Sequence, residues 1–273
     1  MISLAAGRGL LQKINRPAVV AALLEAAGAA QPPPKYAAKI LLIGDLHNCG
    51  AGFSLVRCLG EAFRPELIID CGDLSNLGTA LELVALFPLK KINFPYLLVP
   101  GNHDGKATAG FVAAMPQGRV LTDGAIEVAG FRVAGFADPY FGSREIDCQT
   151  APERRELVNA AGARISQWLT THPAVDIVVT HRYPVAMQIK NFDGVIMAGH
   201  THQSAVTINP AGSMIINPGS IGGGGIRRLI AKTPASYSAA LVYFDLAKKV
   251  VAVDQITFSP IRQMRPELVR HTC

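Results

Sequence analysis

Ile40-Leu41-Leu42-Ile43-Gly44-Asp45-Leu46-His47 joins an unbroken apolar run to a glycine, a carboxylate and an imidazole. A short apolar run closed by glycine reads as a buried strand. Asp45 and His47 therefore stand just past a strand's C-terminal end. The arrangement recurs along the chain. Leu67-Ile68-Ile69 leads to Gly72-Asp73, and Tyr96-Leu97-Leu98-Val99 leads to Gly101-Asn102-His103-Asp104. Asp176-Ile177-Val178-Val179-Thr180 leads to His181, and Gly194-Val195-Ile196-Met197-Ala198 leads to Gly199-His200-Thr201-His202. In an open α/β sheet that edge is where ligands bind. Five loops from such an edge can bring distant residues to one spot.

The donors in these islands are hard oxygens and imidazoles, with no cysteine among them. That set suits Mn²⁺, Fe, Zn²⁺ or Co²⁺ rather than a soft-metal site. It is large enough for two divalent metal ions, a device for phosphoryl hydrolysis.

The blocks D-x-H, GD, GNHD, lone His and GHxH occur in that order at Asp45-Leu46-His47, Gly72-Asp73, Gly101 to Asp104, His181 and Gly199 to His202. The chain thereby resembles the calcineurin-like metallophosphoesterase superfamily over about residues 38–258. The resemblance implies an α/β fold, a four-layer α/β/β/α sandwich of two mixed β-sheets. It also implies a ligand set: Asp45, His47, Asp73 and His202 for one metal, and Asp73, Asn102, His181 and His200 for the other. A shared carboxylate can hold two cations close together and screen their repulsion, and a metal-bridging hydroxide can attack phosphorus in line. In similar enzymes the GNH histidine, here His103, contacts the phosphate with Asn102 or protonates the leaving oxygen. Asp104 is expected either to orient His103 by accepting its other ring N–H or to cap its own loop as an Asx residue. Asn217-Pro218-Gly219-Ser220 is a second resemblance, to smaller bacterial and archaeal phosphodiesterases. The following Gly222–Gly225 and Arg227-Arg228 read as a flexible basic loop that either binds substrate or is simply solvated.

Composition sets the bounds. The 273 residues are 49% hydrophobic and 17% charged, which excludes disorder and predicts a substantial core. A net charge of +6 favours anionic substrates. Arg and Lys are scattered rather than striped, so nucleic acid is disfavoured as a partner. Five cysteines without a CxxC pair read as free thiols of a reducing compartment, with Cys49 and Cys71 as packing residues and the chain cytoplasmic. His172 and His271 read as surface residues.

Residues 1–35 are read as a helical appendage with a Pro-rich linker (Gln31-Pro32-Pro33-Pro34-Lys35), and 36–273 as the catalytic domain. The apolar stretch before the linker is too short to span a bilayer, and Glu25 interrupts it. A signal peptide shares that layout, but an appendage is favoured, with membrane-surface contact through residues 1–30 compatible. The coarse pattern is strand 39–43, helix 51–62, strand 67–70, helix 78–87 and strand 95–99. Short strands that are antiparallel follow at 120–121, 126–128 and 131–136, then a helix over 152–171. Hairpins close the pattern at 205–216 and at 238–257.

The reading is a dinuclear metal-dependent phosphoesterase, a diesterase in preference to a monoesterase, acting on small phosphoesters. Mn²⁺ is the preferred metal. A homodimer is compatible, since several relatives dimerise. A nuclease is the alternative enzyme, and a non-catalytic scaffold of the same fold is the alternative of another class.

Overall fold

The computed structural model describes residues 16–29, 33, 36–143, 150–172, 174–225, 235–259 and 265–273. In chain order the strands are β1 (Ala38–Ile43), β2 (Leu67–Asp70), β3 (Tyr96–Leu98), β4 (Gly118–Val120), β5 (Ala125–Val128), β6 (Phe131–Phe136) and β7 (Ile177–Arg182). Then come β8 (Val195–Gly199), β9 (Ser204–Ile208), β10 (Met214–Pro218), β11 (Tyr237–Phe244), β12 (Val250–Phe258) and β13 (Pro266–Thr272). The helices are α1 (Arg16–Ala29), α2 (Gly50–Phe63), α3 (Leu83–Leu86), α4 (Lys106–Ala113), α5 (Ala151–Thr171) and α6 (Tyr183–Ala186).

One sheet has the order β13-β12-β11-β1-β2-β3-β4, the other β5-β6-β7-β8-β10-β9, and both mix parallel with antiparallel pairs. Strand alternation sorts the apolar side chains into three cores. Leu41 and Ile43 face outward, onto a cluster holding Phe53, Val56 and Leu59 of α2. Ile40 and Leu42 face inward, toward Ile177, Val179, Val195 and Met197 of the opposite sheet. Val178 and Ile196 face the other way, onto Ile165 and Leu169 of α5. Three cores between four layers make the α/β/β/α sandwich that the sequence implies.

Helix α1 joins the outer core through Val19 and Leu23. Among the described residues no helix is long and apolar enough to cross a membrane. Cys49, Cys58 and Cys71 are buried and Cys273 exposed, none of these four in a disulfide, while Cys148 lies outside the described residues.

Four expectations are corrected. The helix expected over 78–87 is broken into 3-10 turns at Ala80–Glu82 and Phe87–Lys91 around the single turn α3. Pro88 lacks the N–H that an α-helix needs there, so the segment tightens. The stretch at 118–120 pairs parallel with β3, not antiparallel, because α4 forms the crossover that returns the chain in the same direction. The edge strand β13 follows the expected last hairpin. Arg270, whose guanidinium contacts the buried Asp254 carboxylate at 2.6 Å through both Nε and Nη2, pins it to β12. His172 and His271 are half-buried, His172 stacked on Trp168 at 3.9 Å and His271 paired with Gln255.

Asp70, the last residue of β2, shows how the layer under the site is braced. The Tyr96 hydroxyl donates to its Oδ2 at 2.5 Å and the Gly72 N–H to its Oδ1 at 3.0 Å. Burial pushes this carboxyl up to about 8, with Tyr96 opposing and Asp104 reinforcing. The folded protein therefore keeps a proton that the unfolded chain loses near pH 4. The stabilisation from this group is complete below about pH 4 and is lost as pH rises toward about 8. Asp70→Asn keeps the same partners, with its amide donating to Tyr96. In metal-free protein its melting temperature should match the parent at about pH 4 and exceed it by a growing margin up to about pH 8. Parallel melting curves for the two proteins across that range would count against a buried, protonated Asp70.

Candidate metal centre

The sheets carry the expected islands to one edge, between the two layers. Asp45 and His47 follow β1, Asp73 follows β2, Asn102 follows β3, and His200 and His202 follow β8. His181 differs from the expectation, because it lies inside β7 rather than after it. The β7–β8 register shifts between Thr180 and Arg182, so a bulge re-aims the His181 side chain into the cleft.

Turn geometry does the same for the others. Asp45, His47, Asp73, His200 and His202 all have left-handed backbone, with φ from 50° to 73°. Such residues are sparse among L-amino acids and gather at functional sites. Glycines let the loops approach one another. A Cβ on Gly101 would lie 2.2 Å from Asp73 Oδ1, and one on Gly225 would lie 2.7 Å from the His47 ring.

The side chains form two groups. Asp45, His47 and His202 converge, as do Asp73, His181 and His200, each with ligand atoms within 4.8 Å of one another. His202 Nε2 lies 3.0 Å from Asp45 Oδ1 and 3.3 Å from His47 Nε2. Asp73 Oδ2 stands between the groups, 3.4 Å from His181 Nε2 and 3.8 Å from His47 Nε2. Asp45 Oδ1 and Asn102 Oδ1 are buried without a hydrogen bond, although the first lies close to His202. A buried oxygen of this kind needs a donor or a cation. Buried carboxylates, aligned imidazoles and an orphaned amide oxygen fit a dinuclear site.

Partners beyond the ligands fix the rings. His181 Nδ1 donates to the Cys71 carbonyl at 2.7 Å, which leaves Nε2 to face Asp73. His200 N–H donates to Asp45 Oδ2, and Arg182 Nη1 contacts His200 Nε2 at 3.2 Å. Arg182 itself is held by Asp138, through Nε at 2.9 Å and Nη2 at 3.2 Å. The NPGS segment is a strut. Asn217 donates to Gly199 O and Thr201 Oγ1, and Ser220 Oγ to Asp45 O.

Ionisation follows from this packing. Burial holds His47 below its ordinary value despite Asp73 and Asp45. Burial, His181 and Arg182 push His200 down to about 3. Burial works against a proton on His181, but the charge and hydrogen bond of Asp73 win and raise it to about 10. Asp73 is likewise pulled below the carboxylate range by His181 and His47, against its burial. A proton and a metal ion compete for the same His181 lone pair, so metal uptake releases protons.

His103 lies on the cleft wall, its ring 5.1 Å from that of His47. The expected Asp104–His103 hydrogen bond is not there. His103 Nδ1 donates to the Asn76 carbonyl at 2.7 Å instead. Asp104 points the other way and accepts from the N–H groups of Asp73, Ser75 and Gly101 and from Ser75 Oγ. Its carboxylate ties the GD and GNHD loops together. Burial, with Asp73 nearby, pushes Asp104 up to about 6. Arg227 and Arg228 lie outside the described residues. Arg182, Asp138 and the Asn76 carbonyl were not singled out from the sequence. Only the adjacency of Arg182 to His181 offered a signal.

Beside His202 opens a cavity of about 360 Å³, with Ser204, Ser220, Gly223, Gly224, Ser238 and Thr257 among its lining residues.

Comparison with known proteins places this geometry. The solved structure of TT1561 from Thermus thermophilus superposes with a TM-score of 0.54 at 15% identity, over 86% of this chain and 98% of that one. A dimetal phosphatase from Danio rerio gives 0.51 at 12% identity, over 86% and 99%. These likenesses speak for the fold alone. No curated protein matches the chain. The family model described as calcineurin-like phosphoesterase matches residues 38–204. That match runs from the start of β1 past the last ligand, His202, and covers more than half of the sequence, so the chain belongs to the calcineurin-like phosphoesterase family.

Proposed function

We propose that this chain is a dinuclear metal-dependent phosphodiesterase acting on small phosphoesters, with Mn²⁺ as the preferred metal. The observation that carries the reading is the pair of ligand groups on either side of Asp73. Asp45, His47, Asp73 and His202 would hold one ion, and Asp73, Asn102, His181 and His200 the other. Two such ions neutralise charge on a phosphoryl group and acidify a water. The scaffold alternative loses ground because every ligand position is filled and turned into the cleft.

The residues of the chain supply the rest. His103, with Nδ1 committed to the Asn76 carbonyl, presents Nε2 as the proton donor to the leaving oxygen. Asp104 positions loops rather than protons. Arg227 and Arg228, following the glycine loop in sequence, are assigned to the substrate phosphate. The cavity beside His202 leaves room for a second ester group, which supports a diester over a monoester. The domain division at 35/36 is kept, with the appendage docked through Val19 and Leu23 rather than loosely tethered.

The test is hydrolysis of bis(p-nitrophenyl) phosphate against p-nitrophenyl phosphate by metal-stripped protein titrated with Mn²⁺. Mn²⁺-dependent turnover favouring the diester is expected; equal or reversed preference would refute the diesterase assignment. His103→Ala should lower kcat on alkyl phosphodiesters by roughly 10²-fold or more. The loss should be smaller on nitrophenyl esters, whose leaving group needs no proton. An equal loss on both would remove the proton-donor role.

A further inference from the structure

The segment that leaves the second metal loop carries an apolar stripe on the outside of the protein. Leu77 is 65% exposed, Leu81 90%, Val84 70% and Phe87 50%. Leu81, Val84 and Phe87 recur every third residue along the helical turns of 80–91, and Leu77 lies just before them. The acidic residue of the segment, Glu82, is engaged by the neighbouring turn. Its carboxylate accepts from Asn48 Nδ2 and from the N–H groups of Asn76, Leu77 and Thr79. Lysines flank the stripe: Lys90 and Lys91 at its end, and Lys106, all exposed. Lys106 follows Gly105, whose backbone packs against Gly78. The Lys90 ammonium lies 5.2 Å from the rings of both Phe87 and Phe111, an aliphatic stem over apolar surface with its charge at the margin.

The stripe is joined to the site at short range. Asn76, which precedes it, offers its carbonyl to His103 and donates from Nδ2 to the His47 carbonyl. Glu82 clamps that turn to Asn48 of the first metal loop. The turn that begins the segment is thus tied to the loops of the metal cleft.

We propose that Leu77, Leu81, Val84 and Phe87, with Lys90, Lys91 and Lys106, form a docking surface for an anionic lipid bilayer, which presents lipid-borne phosphoesters to the metal cleft. The substrate half of this rests on the phosphodiesterase reading above. Exposed aliphatic side chains rimmed by lysines match an interface of acyl chains under anionic headgroups. Four side chains fall well short of the ~800 Å² per partner that a stable protein pair buries. The helix at the N-terminus is not the better candidate, since Val19 and Leu23 of α1 are buried in the core.

The test is flotation of the full chain with vesicles of phosphatidylcholine alone and of phosphatidylcholine mixed equally with phosphatidylglycerol. Binding is expected to the mixed vesicles only. Leu81→Ser combined with Val84→Ser should weaken it by about tenfold or more. Lys90→Glu combined with Lys91→Glu should abolish the preference for anionic lipid. Melting temperatures of the variants report whether the fold is kept. No flotation of the parent protein would overturn the proposal. So would serine variants that keep the fold and still float, or that turn a dimer into a monomer in sedimentation without affecting flotation. Turnover of bis(p-nitrophenyl) phosphate, which needs no bilayer, is read alongside. Flotation without turnover would leave the docking surface standing and sink the catalytic reading; turnover without flotation does the reverse.

Discussion

Asp73→Ala is expected to remove catalysis, with kcat on bis(p-nitrophenyl) phosphate falling on the order of 10³-fold or more. Both carboxylate oxygens are engaged. Oδ2 faces His181 and His47, one from each ligand group, and Oδ1 accepts the His103 N–H at 2.9 Å. Alanine therefore deletes the negative charge between the two groups and also frees the backbone that carries the proposed proton donor. Metal content measured by elemental analysis should fall together with activity. Asp73→Asn keeps the shape and part of the coordination, so it should lie between parent and alanine on both counts. An alanine variant that retained two ions per chain and near-parental turnover would mean that the two groups act separately.

Gly72→Ala should be the most damaging change outside the ligands. Gly72 sits at φ +96°, where an L-residue is strained by ~1–2 kcal/mol. An added Cβ would also lie 2.3 Å from the Gly101 nitrogen and 2.7 Å from the Val99 carbonyl. The GD and GNHD loops would have to separate, and those loops carry Asp73, Asn102 and His103. Misplacement of catalytic groups by about 1 Å can cost on the order of 10²-fold in rate, and a loss of that size is expected here. The melting temperature should drop by roughly 5 °C or more. Calorimetry and the diester assay would check this pair of effects. An unchanged rate would show that the loops can part without disturbing the centre.

The ligands were legible in the sequence because each is a polar residue placed straight after a run of buried apolar ones. The layers were legible for the same reason, since strands buried on both faces need helices outside both sheets. What the sequence hid depends on pairing between distant residues. Tyr96 reaches Asp70, and Arg182 reaches Asp138, only because the sheet order makes them neighbours. Of the two readings of Asp104, the loop-capping one holds; the other was suggested only by its place next to His103 in the chain. In a tight turn adjacent side chains diverge, and these two serve opposite walls of the loop. The 78–87 stretch looked helical by its apolar spacing, but part of that spacing faces solvent.

The left-handed backbone of the ligand loops also limits which residues can serve there. Asp, Asn and His are the side chains best tolerated in that conformation apart from glycine. They are also hard-metal donors. The turns that aim Asp45, His47, Asp73, His200 and His202 into the cleft thus filter for the same short list that coordination chemistry would choose. Glutamate, an equally good oxygen donor, is missing from these positions, and the shape of the chain is sufficient reason. Backbone grammar and metal chemistry here share one alphabet, so substitutions that drift away from one are penalised by the other.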